Sequence, residues 1–361
     1  MNKCDVNVTD LEIESPGVDL RITQCNGTTM GATPFCVKTS ASQSIAASEK
    51  ELLLTVKNAL EPVDYAMSAY RKDSEVFRFN QSDSTDWFPV SRETAKVVQI
   101  ALDVSELTGG MFDITAGSLV NRWGFGPEEY SNPPTQEEIN ELLQSVGYQH
   151  LAVRAEPPAL RKNVPCLKIN LSGIAKGFAV DQVAVALENE GIKNYMIEVG
   201  GETRTAGEKS HGNPWTIGIE SPTSSLRPGE PQIQCKVRLG AQSMATSGDY
   251  YNFIDFGGVR FSHIIDPRTG WPVEKSQMTL TDTRLRLGSL SVVDSSCVRA
   301  DAMTKGFYVL GIEEGLKFAD DNGIAVLFLL REEMPQRDTG PAFTIREEMS
   351  DAFKKRVKIV K

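Results

Sequence analysis

The sequence predicts an α+β fold, and three observations lead there. Helix-period stretches sit towards both ends of the chain, at 45–65, 91–108 and 295–321. Between 214 and 290 the pattern changes to short strands punctuated by glycine and proline: WTIGIES, IQCKVRL, SMATSGDYY, RFSHIID and TLTDTRLRL. No strand–helix alternation repeats along the chain, so a doubly wound parallel sheet is disfavoured. The expectation is one large domain of mixed, mostly antiparallel sheets with packed helices.

The elements follow in order. Residues 1–20 are polar and lack an apolar h-region, and are expected to form a leader ahead of a domain over 21–335. Val18 to Lys38 predicts two strands about Asn26-Gly27, a hairpin signal, although Thr28 to Gly31 also suits a loop into the second strand. Leu52, Leu53, Val56 and Leu60 mark a helix that continues towards Tyr70, and Asp73-Ser74-Glu75 opens a short turn or helix. Ser91 caps a further helix that ends at Gly109-Gly110, and Thr135 caps TQEEINELLQSV.

Leu151 to Leu171 suggests a hairpin bearing prolines. Leu167, Ile169 and Leu171 alternate as a half-buried strand running into the turn Ser172-Gly173-Ile174-Ala175-Lys176-Gly177. Val180, Val183, Ala184 and Leu187 then line one helix face, with Gly191 placed to stop it before a strand at Tyr195 to Val199. Helices at 295–310 and 312–321 end at Gly311 and Asn322-Gly323, and Ile324 to Leu330 forms a buried strand. The remainder, 336–361, looks like a charged tail.

Composition narrows the function classes. A formal net charge of −10 disfavours a nucleic-acid partner, because phosphate-backbone binding relies on a basic surface. Six scattered cysteines and three histidines leave no zinc-ligand spacing. No apolar run reaches the length of a transmembrane helix.

Several residues carry possible chemistry. The turn around Lys176 places backbone N–H groups and one ammonium where a phosphate would sit, and a plain tight turn fits the same residues. His263, in RFSHIIDPRTG, is either a strand-end histidine bonded to nearby backbone or a catalytic group. Asp301 has Lys305 as its i+4 neighbour. An exposed helical pair of this kind is worth about 0.2–0.5 kcal/mol, but Val298, Ala302, Met303 and Phe307 mark a buried helix, where a carboxylate needs a lysine or a metal. Asp113 suits a helix cap or a ligand contact, and Tyr70 suits the core or a stacked ring.

Taken together and in order, TTMGAT (28–33), MSAYRKDSEVFRFN (67–80), GGMFDITAGSLV (109–120), NLSGIAKGFAVD (170–181), EVGGE (198–202), SHIIDPRTGWPV (262–273) and ADAMTKGFYVLG (300–311) resemble the ApbE family of FAD:protein FMN transferases. The resemblance implies a single domain with an FAD cleft between its two halves. It also implies transfer of FMN from FAD to a threonine or serine of an acceptor protein, with Mg²⁺ and release of AMP. The alternatives are a non-catalytic FAD-binding protein and an FAD pyrophosphatase yielding FMN and AMP. By motif position, Met30, Ser68, Ala69 and Tyr70 would line the flavin or adenine, and Asp113 the adenine or ribose side. Lys176, His263 and Ile264 would lie at the cofactor, with Lys176 and His263 near the pyrophosphate and His263 or Asp301 as base. The resemblance also suggests a cell-envelope location, with cytoplasm as the alternative.

The implied metal site departs from the family pattern. There, Mg²⁺ resembles an ion held by a carbonyl of the SGIAKG turn (Gly173), an aspartate (Asp301) and a threonine four residues on. Here that last position is Lys305, a donor that cannot ligate magnesium while protonated, and the threonine is Thr304. Three outcomes are open: Thr304 serves instead, the ion is held with fewer protein ligands, or the Lys305 ammonium replaces it.

Overall fold

The computed structural model describes residues 20–42, 46–210, 212–222, 232–248, 253–273, 285–333 and 343–360. The expected leader, apart from Leu20, lies outside these residues, as do the end of SMATSGDYY and most of TLTDTRLRL.

The chain opens with the hairpin β1 (Leu20–Thr29) and β2 (Thr33–Ser42), then α1 (Glu49–Met67), α2 (Glu75–Gln81), β3 (Phe88–Pro89) and α3 (Arg92–Leu107). α4 (Gly117–Val120) runs into a wide helical turn over 121–125, followed by α5 (Gln136–Leu143), β4 (Leu151–Ala155) and β5 (Pro158–Lys162). Next come α6 (Ala175–Asn189), β6 (Tyr195–Val199), β7 (Glu202–Ala206), β8 (Glu208–Ser210), β9 (Asn213–Pro214) and β10 (Ile217–Glu220). β11 (Ile233–Arg238), β12 (Ser243–Gly248), β13 (Phe253–Phe256), β14 (Val259–Ser262) and β15 (Leu285–Asp294) complete the strand-rich region. The chain closes with α7 (Cys297–Leu310), α8 (Ile312–Asn322), β16 (Ala325–Glu333), β17 (Phe343–Met349), α9 (Asp351–Arg356) and β18 (Lys358–Val360).

The main sheet has the order β1-β2-β6-β7-β12-β15-β16-β17, and every neighbouring pair is antiparallel. On one face, α1, α6 and α7 bury Leu52, Val56, Val180, Val183, Met303 and Phe307 against Val37, Ile197, Leu290 and Val292 of the sheet. On the other, α9 and the small sheet β10-β11-β18 cover Met244, Val293 and Leu327 with Ile217, Val237 and Phe353. Each such side chain removed from water contributes about 1.5–3 kcal/mol. The expected α+β fold is therefore observed.

Local signals explain the helix boundaries. Ser48 and Glu51 form a reciprocal capping box at α1, and Thr135 and Glu138 form another at α5. α6 ends where expected: Gly191 takes φ +80°, its N–H donates to Glu188 O at 3.0 Å, and that of Ile192 donates to Leu187 O at 2.9 Å.

Three expectations need correction. The first hairpin turns at Met30-Gly31-Ala32, overlapping the alternative loop at Thr28 to Gly31, rather than at Asn26-Gly27, which lies within β1 with Gly27 paired to Phe35. The Phe35 ring lies over Gly27, 2.6 Å from where a Cβ would be, so packing and not a turn requires glycine there. Next, 167–171 is not a strand of a β-α-β unit. Its three apolar side chains are buried, but its backbone is held by the Asn80 side chain, which donates to Ile169 O and accepts from Ile169 N–H, both at 2.8 Å. The Asn80 amide thus bonds Ile169, while the neighbouring 114–117 stretch supplies only an isolated bridge, with Gly117 N–H donating to Lys168 O at 3.2 Å and Asn170 N–H to Ile114 O at 2.8 Å. Finally, the stretch read as a tail supplies β17 at the sheet edge, α9 and β18, with Phe353 fully buried. Charged residues suit an exposed edge strand, and they masked this one.

Candidate functional site

The site is organised by the contact between α6 and α7. A Cβ on Gly177 would lie 2.4 Å from Cys297 O and 2.7 Å from Asp301 Cβ, so only glycine lets the helices approach this closely. The Gly177 N–H donates to Asp301 Oδ2 at 2.9 Å. One turn on, Asp181 accepts from the Cys297 and Val298 N–H groups at 3.2 and 3.0 Å and from the Ser296 hydroxyl at 3.2 Å. It also takes Arg204 at 2.6 Å. A carboxylate at the N-terminus of α7 satisfies donors that have no partner within the helix.

Four charged side chains lie together at this junction. Lys176 donates to both Glu202 oxygens, at 2.7 and 2.6 Å, and Glu202 is fully buried. Lys305 pairs with Asp301 Oδ1, and Asp301 is also fully buried. Burial alone would lower the Lys176 ammonium, but Glu202 and then Asp301 outweigh it and hold it above the ordinary lysine value. Two cations and two carboxylates balance in formal charge.

Gly173, Lys176 and Lys305 line a cavity of about 1500 Å³, whereas Asp301 and Thr304 do not. Thr304 is buried: its hydroxyl donates to Asp301 O at 2.7 Å and lies 2.8 Å from Ser247 Oγ. The Lys305 side chain passes Gly173, with Cε 3.6 Å from where a Cβ there would be. The expected magnesium ligands therefore do not fit the ion as arranged. Both Asp301 oxygens and the Thr304 hydroxyl have protein partners, and a fixed ammonium faces the cavity. Two unit charges about 4 Å apart interact by about 4 kcal/mol at an effective dielectric of about 20, and a divalent ion beside Lys305 would meet twice that as repulsion. Among the described residues, no three His, Cys, Asp or Glu side chains gather as a metal site.

The same cavity is lined by Met30, Ser68, Ala69, Tyr70, Asp113, His263 and Ile264. Met30 holds φ +44°, the one positive value for a non-glycine among the described residues, in the β1–β2 turn. The Ser68 hydroxyl accepts from Tyr70 and Arg71 N–H and shapes that loop, while the Tyr70 hydroxyl donates to Phe125 O at 3.2 Å. Asp113 is internally engaged. Oδ1 accepts from the Thr115 N–H and hydroxyl, Oδ2 from the Tyr148 N–H, and burial pushes its carboxyl above the usual range. His263 lies edge-on to Phe125 with ring centroids 6.3 Å apart. After it, Asp266 to Gly270 forms the expected turn, with Gly270 N–H donating to Asp266 O at 2.8 Å.

Sequence reasoning assigned no role to Glu202, Asp181 or Gly177, although all three fall inside quoted motifs. A glutamate directly after Gly200-Gly201 was the available signal. Trp215, Lys236 and Arg238 also line the cavity, from a region where no motif marked them.

Residues 32–328 match the model of the ApbE family. The chain is 42% identical over 309 residues to an FAD:protein FMN transferase of Vibrio cholerae serotype O1, covering 85% of this chain and 87% of that one. It is 36% identical over 319 residues to an FAD:protein FMN transferase of Haemophilus influenzae, covering 87% and 88%. Its fold is similar to that of the flavin transferase ApbE from Vibrio cholerae, with a TM-score of 0.78 and 39% identity over 93% of this chain and 99% of that one. With its own cavity lined by the family's motifs, this chain belongs to the ApbE family.

Proposed function

We propose that this protein transfers FMN from FAD to a threonine or serine hydroxyl of an acceptor protein, releasing AMP. The supporting observation is convergence: Met30, the Ser68–Tyr70 loop, Asp113, the Gly173–Lys176 turn and His263-Ile264 come from distant parts of the chain and line one cavity. At about 1500 Å³ it exceeds the roughly 300–1000 Å³ of ordinary ligand pockets. That leaves room for a dinucleotide and the acceptor segment that meets it.

In this scheme the acceptor oxygen attacks the phosphorus on the riboflavin side of the pyrophosphate. A new phosphoester bond forms as the bridging P–O bond breaks, and AMP departs with the bonding pair. The hydroxyl proton passes to His263, which lines the cavity, whereas the other candidate, Asp301, does not reach it. Lys176 acts through Glu202, fixing the turn at Gly200-Gly201, whose carbonyl at Gly200 also accepts from its ammonium at 3.4 Å. Positioning and electrostatics carry most of such a transfer. No step is assigned to magnesium, because the Asp301 carboxylate and the Thr304 hydroxyl expected to hold it are already bonded within the protein.

The test is incubation of the full chain with FAD and a protein carrying a flavinylation motif. Flavin fluorescence on the acceptor in a denaturing gel, with equimolar AMP, is the expected result. FAD binding with neither product would leave a binding protein, and AMP without labelled acceptor would leave a hydrolase.

A further inference from the structure

We infer that Lys305 is the resident cation of this site, taking the position that a divalent metal would otherwise fill, so that FAD binding by this chain is independent of divalent ions. The inference rests on the FAD reading above. It is carried by which groups reach the cavity. Lys305 lines it beside Gly173 while Asp301 is wholly withdrawn, so of this pair α7 offers the cavity its ammonium and not its carboxylate. The ammonium is held in place: it pairs with Asp301, whose other oxygen is fixed by the Gly177 N–H at 2.9 Å. Thr304, the remaining oxygen donor on this part of α7, is committed to Asp301 O and Ser247.

The charges agree with the geometry. Lys176 with Glu202 and Lys305 with Asp301 sum to zero, so before a nucleotide arrives a divalent ion added there would leave a surplus of positive charge in a buried cluster. A diphosphate instead supplies negative charge on the cavity side of Lys305, where the ammonium has donors left after its bond to Asp301.

The test measures FAD affinity of the full chain by flavin fluorescence anisotropy, in EDTA and in excess magnesium. Wild-type affinity is expected to differ by less than about twofold between the two, well short of the tenfold that marks 1.4 kcal/mol. Lys305→Met removes the cation without supplying a ligand, and its affinity should fall about tenfold or more in both conditions. Lys305→Thr frees Asp301 and adds an oxygen, so its affinity should fall in EDTA and recover in magnesium. A wild-type affinity lost in EDTA and restored by magnesium overturns the inference, and that arm needs no variant to fold. Metal-independent FAD binding without acceptor labelling sinks the transferase reading and leaves Lys305 in this role. No FAD binding in either buffer removes both.

Discussion

Gly177 and Asp301 meet backbone to side chain: the Gly177 N–H donates to Asp301 Oδ2 at 2.9 Å, and there is no room between them for a methyl group. Gly177→Ala is therefore expected to force α6 from α7 and cost about 1–3 kcal/mol, the range for overpacked cores. Urea unfolding checks this, and an unchanged midpoint would show that the helices separate freely.

Lys176→Met leaves Glu202 buried without its ammonium. Removal of one member of a buried pair costs about 3–5 kcal/mol, and replacing both recovers much of it, so Lys176→Met/Glu202→Met should be more stable than the single variant. The pH dependence has a definite sign. Burial already pushes Glu202 above its ordinary 4.5, and loss of Lys176 removes the charge that opposes this. The folded single variant then holds more protons than the unfolded chain above pH 4.5, so its stability falls as pH rises through that window. Thermal unfolding of both variants across pH 5 to 8 measures it, and parallel curves would refute the pairing argument.

His263→Gln should lower acceptor labelling by about 10²–10⁴-fold, the usual contribution of a general base, while FAD affinity changes little. Single-turnover labelling beside anisotropy separates the two quantities. A matched loss of affinity and rate would make His263 a binding residue instead.

Thiol reactivity should follow burial. Burial and then Glu49 push the Cys25 thiol to about 12, burial and then Glu347 push Cys235 to about 11, and Cys297 is fully buried. Cys166 is exposed. Because the thiolate is the nucleophile, brief maleimide treatment at neutral pH should label Cys166 ahead of these three, and mass spectrometry identifies the order. Early labelling of Cys25 would contradict the core packing around it.

The fold was legible wherever period and cap agreed. Ser91, Thr135 and Gly191 each mark a boundary chemically, and the helices begin or end beside them. It was hidden where a side chain and one isolated bridge took the place of a full ladder, as Asn80 and Ala116 do for 167–171, and where an edge strand carried charge, as β17 does. In the site, Met30, Ser68, Tyr70, Asp113, Lys176 and His263 sit in motifs, whereas Trp215, Lys236 and Arg238 do not, and the pairings that fix the charged groups link separate motifs. Lys176 with Glu202 and Asp181 with α7 depend on packing between helices and strands, which periodicity does not report. The Asp301–Lys305 pair was visible as i and i+4; which of the two faces the cavity was not.

Two parts of the site differ in how they are tethered. Asp181 ties α6 to the start of α7 through three contacts and to Arg204 of β7 through a fourth. Tyr70, also on the cavity lining, is 63% exposed and bonds Phe125 O through its hydroxyl alone at 3.2 Å. Losing that single bond would free the Tyr70 ring without touching the junction of α6 and α7.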